Sequence, residues 1–173
     1  MPESWLEEVE LAREARDRFL KYSPESPIPK EERKKFVGVR YFPPDPNFKT
    51  RAILKRKPKE FNVKTTLGNV RPLEMIGELH FVIGISTFVL LSFRGKDPNV
   101  FVPFNDLTNG SETYKLGRYV EVEAPQGVEK VIIDFNLSYN PDCAYDSSLE
   151  SLIPPPENKL NIPVRAGEMN YIR

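Results

Sequence analysis

Between about residues 36 and 136 the chain is a succession of strand-like segments with no helix-length connection among them, and this limits the fold more than any other feature. The segments are "RAILKR", "EFNVKTT", "VRPLEMIGELHFVI", "TFVLLSF", "VFVPF", "RYVEVEA" and "KVIIDFN", rich in Val, Ile, Phe, Tyr and Thr. Turn signals separate them: "LGN" at Leu67–Asn69, "IGIS" at Ile83–Ser86, "RGKDPN" at Arg94–Asn99 and "APQG" at Ala124–Gly127. Parallel neighbours need a crossover of about a dozen residues or more, so connections this short dictate antiparallel pairing. About six to eight such strands predict an antiparallel β-barrel or a two-layer sandwich. Closing the sheet would also remove its exposed edges. In "YVEVEA" the alternation sends Tyr119, Glu121 and Glu123 to one face and Val120 and Val122 to the other.

The length of 173 residues suits a single domain, 1–173, in three parts. Residues 3–35 form an N-terminal helical segment, 36–136 the antiparallel β core, and 137–173 a Pro-rich C-terminal strap, long, ordered and mostly without helix or strand pattern except at "NIPVRAG". Ser4 followed by Glu7 fits a capping box. Trp5, Val9, Ala12 and Phe19, with Leu20 beside them, make one apolar stripe. That stripe is expected to pack on the domain, with a homodimer contact as the alternative. The helix must stop at "YSPESPIP", and "PKEERKKF" reads as one or two further turns.

Charge narrows the partners. Lys+Arg and Asp+Glu are both 25, so the net charge is zero and nothing draws the chain generally to nucleic acid or to an anionic membrane. The start, "MPESWLEEVELARE", lacks the basic and apolar regions of a signal peptide, and the longest apolar stretch, Leu79–Phe93, is too short to span a bilayer. The expected location is cytoplasmic. One cysteine leaves no internal disulfide. The basic run "KTRAILKRKPK", Lys49 to Lys59, contains no aromatic to stack a base, so a solvated strand face or protected edge is favoured over a single-strand nucleic-acid site. Walker, Rossmann, zinc and Gly-x-Ser-x-Gly signatures are absent, and no metal and no cofactor is expected.

The lone His80, in a strand, is expected to be satisfied by a neighbour on a sheet face, and Cys143 to be a small buried residue rather than a nucleophile. What remains is a dense polar constellation at strand ends and in the strap. The ligand-binding candidates are Asp106, Thr108, Thr113, Tyr114, Arg118, Asn136, Tyr139, Asn140, Glu157, Asn158 and Arg165. Arg118 and Arg165 suit an anionic group, while Asp106, Asp134 and Glu157 are the carboxylates available for acid–base work. The competing reading is that these groups cap turns and form a buried salt-bridge network.

The blocks "FVPFNDLTNGSETYKLGRYVEVE" and "VIIDFNLSYNPDCAYDSSLESLIPPPENKLNIPVRAGE", with the earlier "FVGVRYFPPDPNFKTRA", resemble one bacterial and archaeal family, DUF1684, over nearly the whole chain. The family pattern falls on Asp106, Thr108, Gly110, Thr113, Tyr114, Gly117, Arg118 and Tyr119, then on Asp134–Asn136, Tyr139–Pro141 and Cys143–Tyr145, and finally on Pro154–Asn158, Leu160 and Arg165–Glu168. The resemblance implies almost nothing about activity, because the family is uncharacterised. One departure stands out. The resemblance implies a second cysteine in many relatives just before the proline run, where this chain has Ser151, so a disulfide or two-thiolate site between that position and Cys143 is closed to this member.

Three functions follow as expectations. The first is a binding module for a small polar or anionic molecule, or a peptide, in a polar pocket of roughly 300 Å³ or more at one end of the β core. The second is a small hydrolase or lyase with two of Asp106, Asp134, Glu157 and Glu168 within about 10 Å across a cleft. The third is a structural or partner-interaction protein, marked by an exposed apolar patch.

Overall fold

The computed structural model describes residues 2–172. Helix α1 spans Pro2–Tyr22, and six strands follow: β1 Lys49–Lys64, β2 Val70–Ile83, β3 Ser86–Arg94, β4 Asn99–Phe104, β5 Arg118–Glu123 and β6 Lys130–Asp134. They form one sheet in the order β5-β4-β3-β2-β1-β6, with every pair antiparallel. The sheet curls into a nearly closed six-stranded barrel. Strands β5 and β6, joined by the turn at 124–129, are its two ends and are not hydrogen-bonded neighbours. Just past β6 the gap is bridged once. The Tyr119 N–H donates to the Tyr139 carbonyl and the Tyr139 N–H to that of Tyr119, each at 2.9 Å.

The segments "RAILKR" and "EFNVKTT", expected as two strands, are one. The Lys57–Pro58–Lys59 break between them falls where the β1–β2 register shifts, between Arg56 and Lys59. Proline has no N–H for the ladder, and a bulge is where a strand tolerates it. Gly77 of β2 lies opposite Arg56, and β2 also changes register against β3 between Met75 and Gly77. A Cβ at Gly77 would stand 2.2 Å from the Lys55 carbonyl oxygen and 2.8 Å from the Arg56 Cα. The close crossing of the two backbones requires a residue without a side chain.

This bend separates two apolar clusters. Before it, Ala52, Leu54, Leu79, Phe81 and Leu90 face the barrel interior with Val102, Phe104, Val120, Val122, Val131 and Ile133. Beyond it, Val63, Met75, Leu91 and Phe93 form a second cluster, against which Leu152 of the strap packs. The basic run of β1 takes the form of a solvated face. Ala52 and Leu54 are buried while Lys49, Arg51 and Lys55 are exposed; residues 49–53 pair with β6, and Ala52 and Ile53 pair with β2 as well.

Helix α1 already includes Pro2, so Ser4, expected as its cap, lies within the helix. Val9 and Leu20 are buried, and Leu20 packs with Ile28, Phe36, Val39 and Tyr145 in a third cluster. Ala12, expected on the same stripe, is exposed. The segment "PKEERKKF" forms one 3-10 turn, Arg33–Lys35, a second follows at Pro46–Phe48, and "NIPVRAG" forms no strand. Among the described residues no helix is long and apolar enough to cross a membrane.

The Gly77→Ala variant is expected to lose at least about 2–3 kcal/mol of stability, the cost of overpacking a site where the backbone cannot yield. Urea unfolding of the variant beside the parent protein reads this directly.

Candidate functional site

The polar constellation gathers where the strap crosses the end of the barrel, and its centre is Arg118 at the start of β5. Arg118 is fully buried, over the Phe104 ring. Its Nη1 donates to the carbonyls of Ala166 and Glu168 and its Nη2 to that of Val164, at 2.9 Å. Its charge is answered by Asp106, whose carboxylate is 3.6 Å from Nη2. Asp106 in turn accepts from the Thr108 hydroxyl at 2.8 Å and from the Val164 N–H at 2.7 Å. Thr113 bonds the Thr108 hydroxyl and the Asn109 amide. Burial disfavours the Arg118 charge and lowers its pKa, with Asp106 and Glu168 opposing.

The other candidates are joined into neighbouring knots. Asn158 is a backbone surrogate. Its Oδ1 accepts from the Leu91 N–H at 2.8 Å, and its Nδ2 donates to the Leu91 and Pro103 carbonyls. Asn140 donates through Nδ2 to the Met169 carbonyl, and its N–H donates to Glu168. Glu168 holds Arg16 of α1 at 2.9 Å and accepts from the Tyr145 hydroxyl. Asp134 caps the turn after β6 by accepting from the Asn136 N–H, and it also receives the Trp5 indole N–H at 2.8 Å. Asn136 clasps Asp45 through both its amide oxygen and its amide nitrogen. Two candidates stand apart on the surface: Glu157 is exposed, and Arg165 is exposed and paired with Glu112. The strap is therefore held chiefly by Arg118 and Asn158. Asp106, Asp134 and Glu168 are each engaged by a separate set of partners.

His80 bonds Glu78 on the sheet face at 3.0 Å. Cys143 is buried, and its thiol contacts the Tyr114 hydroxyl at 3.4 Å. The Cys143 N–H donates to Ser151 Oγ at 3.1 Å.

Two concavities flank this knot. The larger, about 680 Å³, runs along the open seam between β5 and β6. Glu8, Glu121, Glu123 and Asp134 line it against only Lys49 and Lys130, with Val128, Ile132, Leu137 and Tyr139 supplying apolar wall. The smaller, about 130 Å³, lies between α1 and the segment after β6, lined by Arg13, Arg16, Tyr41, Ser138, Tyr139 and Glu168 among others. Of the sequence candidates, Tyr139 borders both, Asp134 the larger, and Asn136 and Glu168 the smaller. Sequence reasoning did not single out Glu121, Glu123, Arg13 or Ser138. The outward alternation of "YVEVEA" was the available signal for the first two.

Burial pushes five of the seven tyrosine phenols upward: Tyr41, Tyr114, Tyr119, Tyr139 and Tyr145. Glu168 adds to the shift at Tyr41 and Tyr145, and Cys143 at Tyr114.

A small antiparallel barrel with an N-terminal helix and a strap locked into its end defines the class of protein. Residues 34–169 match the family of proteins of unknown function DUF1684, and the chain belongs to that family. The solution NMR structure of an uncharacterised protein of Haloarcula marismortui is similar, at 32% identity and a TM-score of 0.77 over 97% of this chain and 95% of that one. Among curated proteins none matches.

Two expectations follow. Arg118→Met leaves Asp106 buried without its cation and should cost about 3–5 kcal/mol. Adding Asp106→Asn to it should cost less than the sum of the singles, because the two act on one pair. Alkaline pH should also destabilise the protein. A phenol whose folded pKa lies above its unfolded value of about 10 favours the folded state below that value. The contribution is lost as pH rises toward the folded pKa. Absorbance at alkaline pH should therefore show these five tyrosines ionising together with loss of fold.

Proposed function

We propose that the protein is a peptide-binding module whose ligand is a short extended segment with basic side chains, laid in the groove along the β5–β6 seam. The observation that carries this reading is a groove of about 680 Å³ at the one place in the barrel where adjacent strands are not hydrogen-bonded, with four carboxylates on its rim and only two lysines. The size exceeds the roughly 300 Å³ at which specific ligand sites begin.

The backbone supports the same reading. The N–H and C=O of Tyr119 point across the seam, since both bond Tyr139. The two-residue period of a strand directs those of Glu121 and Glu123 the same way. Among the described residues no turn or loop backbone group bonds them. An extended peptide supplies such partners, with its main chain giving affinity and the wall residues sorting its side chains. Exposed Glu121 and Glu123 attract cations, and Ile132, Leu137 and Tyr139 receive apolar side chains.

The test is a library of short peptides alternating apolar and basic residues, read by fluorescence anisotropy. Binding should weaken with added salt, as surface electrostatics requires. The double reversal Glu121→Lys with Glu123→Lys, both exposed, should leave stability within about 0.5 kcal/mol per site and lower affinity at least about tenfold. Equal affinity of the reversed variant for the same peptides would place the ligand elsewhere.

A further inference from the structure

We infer that the cavity between α1 and the segment 136–139 is a binding site for a small monocarboxylate, held end-on by the Arg13 guanidinium and by Ser138. This inference stands apart from the peptide reading of the seam, although Leu137 and Tyr139 line both concavities.

Two residues of the cavity lining carry buried donors without partners. Arg13 Nε and Nη2 are buried without an acceptor, and so is Ser138 Oγ, on a residue only 2% exposed. Arg16, Glu168, Tyr41 and Asn136 of the lining are already committed. Arg16 is paired with Glu168, the Glu168 carboxylate also accepts from Tyr145 and from the Asn140 N–H, and the Tyr41 hydroxyl donates to Asp17. A buried donor left unbonded costs stability, so native structures supply an acceptor to such groups. Among the described residues none is supplied here.

The two free nitrogens of Arg13 define which anion fits. Nε and Nη2 lie on one edge of the guanidinium, and that edge forms the bidentate fork for a planar carboxylate. The same chain uses this edge at Arg94, whose Nε and Nη2 hold the two oxygens of Glu74 at 2.5 and 2.8 Å. Arg13 itself is fixed in place over the Tyr41 ring, 4.6 Å from its centroid. Burial disfavours its charge, with Tyr41, Asp134, Glu10 and Asp17 opposing, and an incoming anion would add to that opposition. Size sets the rest. A volume of about 130 Å³ equals about four waters at ~30 Å³ each, enough for formate or acetate and too small for a long chain. Ala12 and Leu137 offer apolar surface to a methyl group.

The experiment titrates the full chain with acetate, formate, phosphate and chloride, following the Arg13 Nε–H resonance by NMR and the affinity by calorimetry. Acetate and formate should saturate in the millimolar range or below and shift that resonance. Arg13→Lys keeps the charge and loses the fork, so it should bind acetate at least about tenfold more weakly. Ser138→Ala should weaken it severalfold, and Arg165→Lys, on the exposed Glu112 pair, should change nothing. Phosphate saturating at lower concentration than acetate would overturn the carboxylate assignment. Failure of the native chain to saturate with acetate or formate, or unchanged affinity in Arg13→Lys, would overturn the site, leaving water as the partner of these donors.

Discussion

The architecture depends on one buried cation. Arg118 opens β5, the end strand of a barrel that does not close by its own ladder, and it reaches three carbonyls of the strap between Val164 and Glu168. Those carbonyls belong to a segment with no sheet or helix to satisfy them. A guanidinium can do so because it presents five donors in a rigid fork. Asp106 makes the burial tolerable by answering the charge while accepting the Val164 N–H. The strap's other apolar residues, Leu160, Val164 and Ala166, then join the barrel core as its plug.

From this clamp the neighbouring features follow. Fixing Glu168 beside Asn140 and Tyr145 sets the carboxylate that receives Arg16, and through Arg16 the position of α1. A second tie, Trp5 to Asp134, holds the start of the helix over the end of β6. The helix therefore roofs the small cavity and borders the seam without filling either. Concave surface survives on the flank of the barrel because its end is occupied by protein.

Much of the fold was legible in the chain. Alternation in "YVEVEA" separated Val120 and Val122, now buried, from Glu121 and Glu123, now exposed, and short turns required antiparallel pairing. The continuous β1 was not legible, because Pro58 reads as a break until a bulge opposite Gly77 accommodates it. Arg118 and Asp106 were both visible as polar groups at strand ends. Residue type alone does not separate an anion-binding arginine from one that bonds carbonyls 46 to 50 positions later. The family match adds no activity to decide between them. Arg13 and Ser138 were invisible for a related reason: two residues far apart in sequence become a pair of unsatisfied donors only when α1 docks.

The central claim is that the strap is an integral part of the barrel and not a lid. Native-state amide hydrogen exchange tests it most directly, because it reads local opening at single N–H groups. The Val164 and Glu168 amides, bonded to Asp106 and to the Ser138 carbonyl, should exchange only with global unfolding, at the rate of the β1–β2 ladder amides. Exchange of these strap amides through a much lower-energy local opening, while the β1–β2 amides stay protected, would contradict the account.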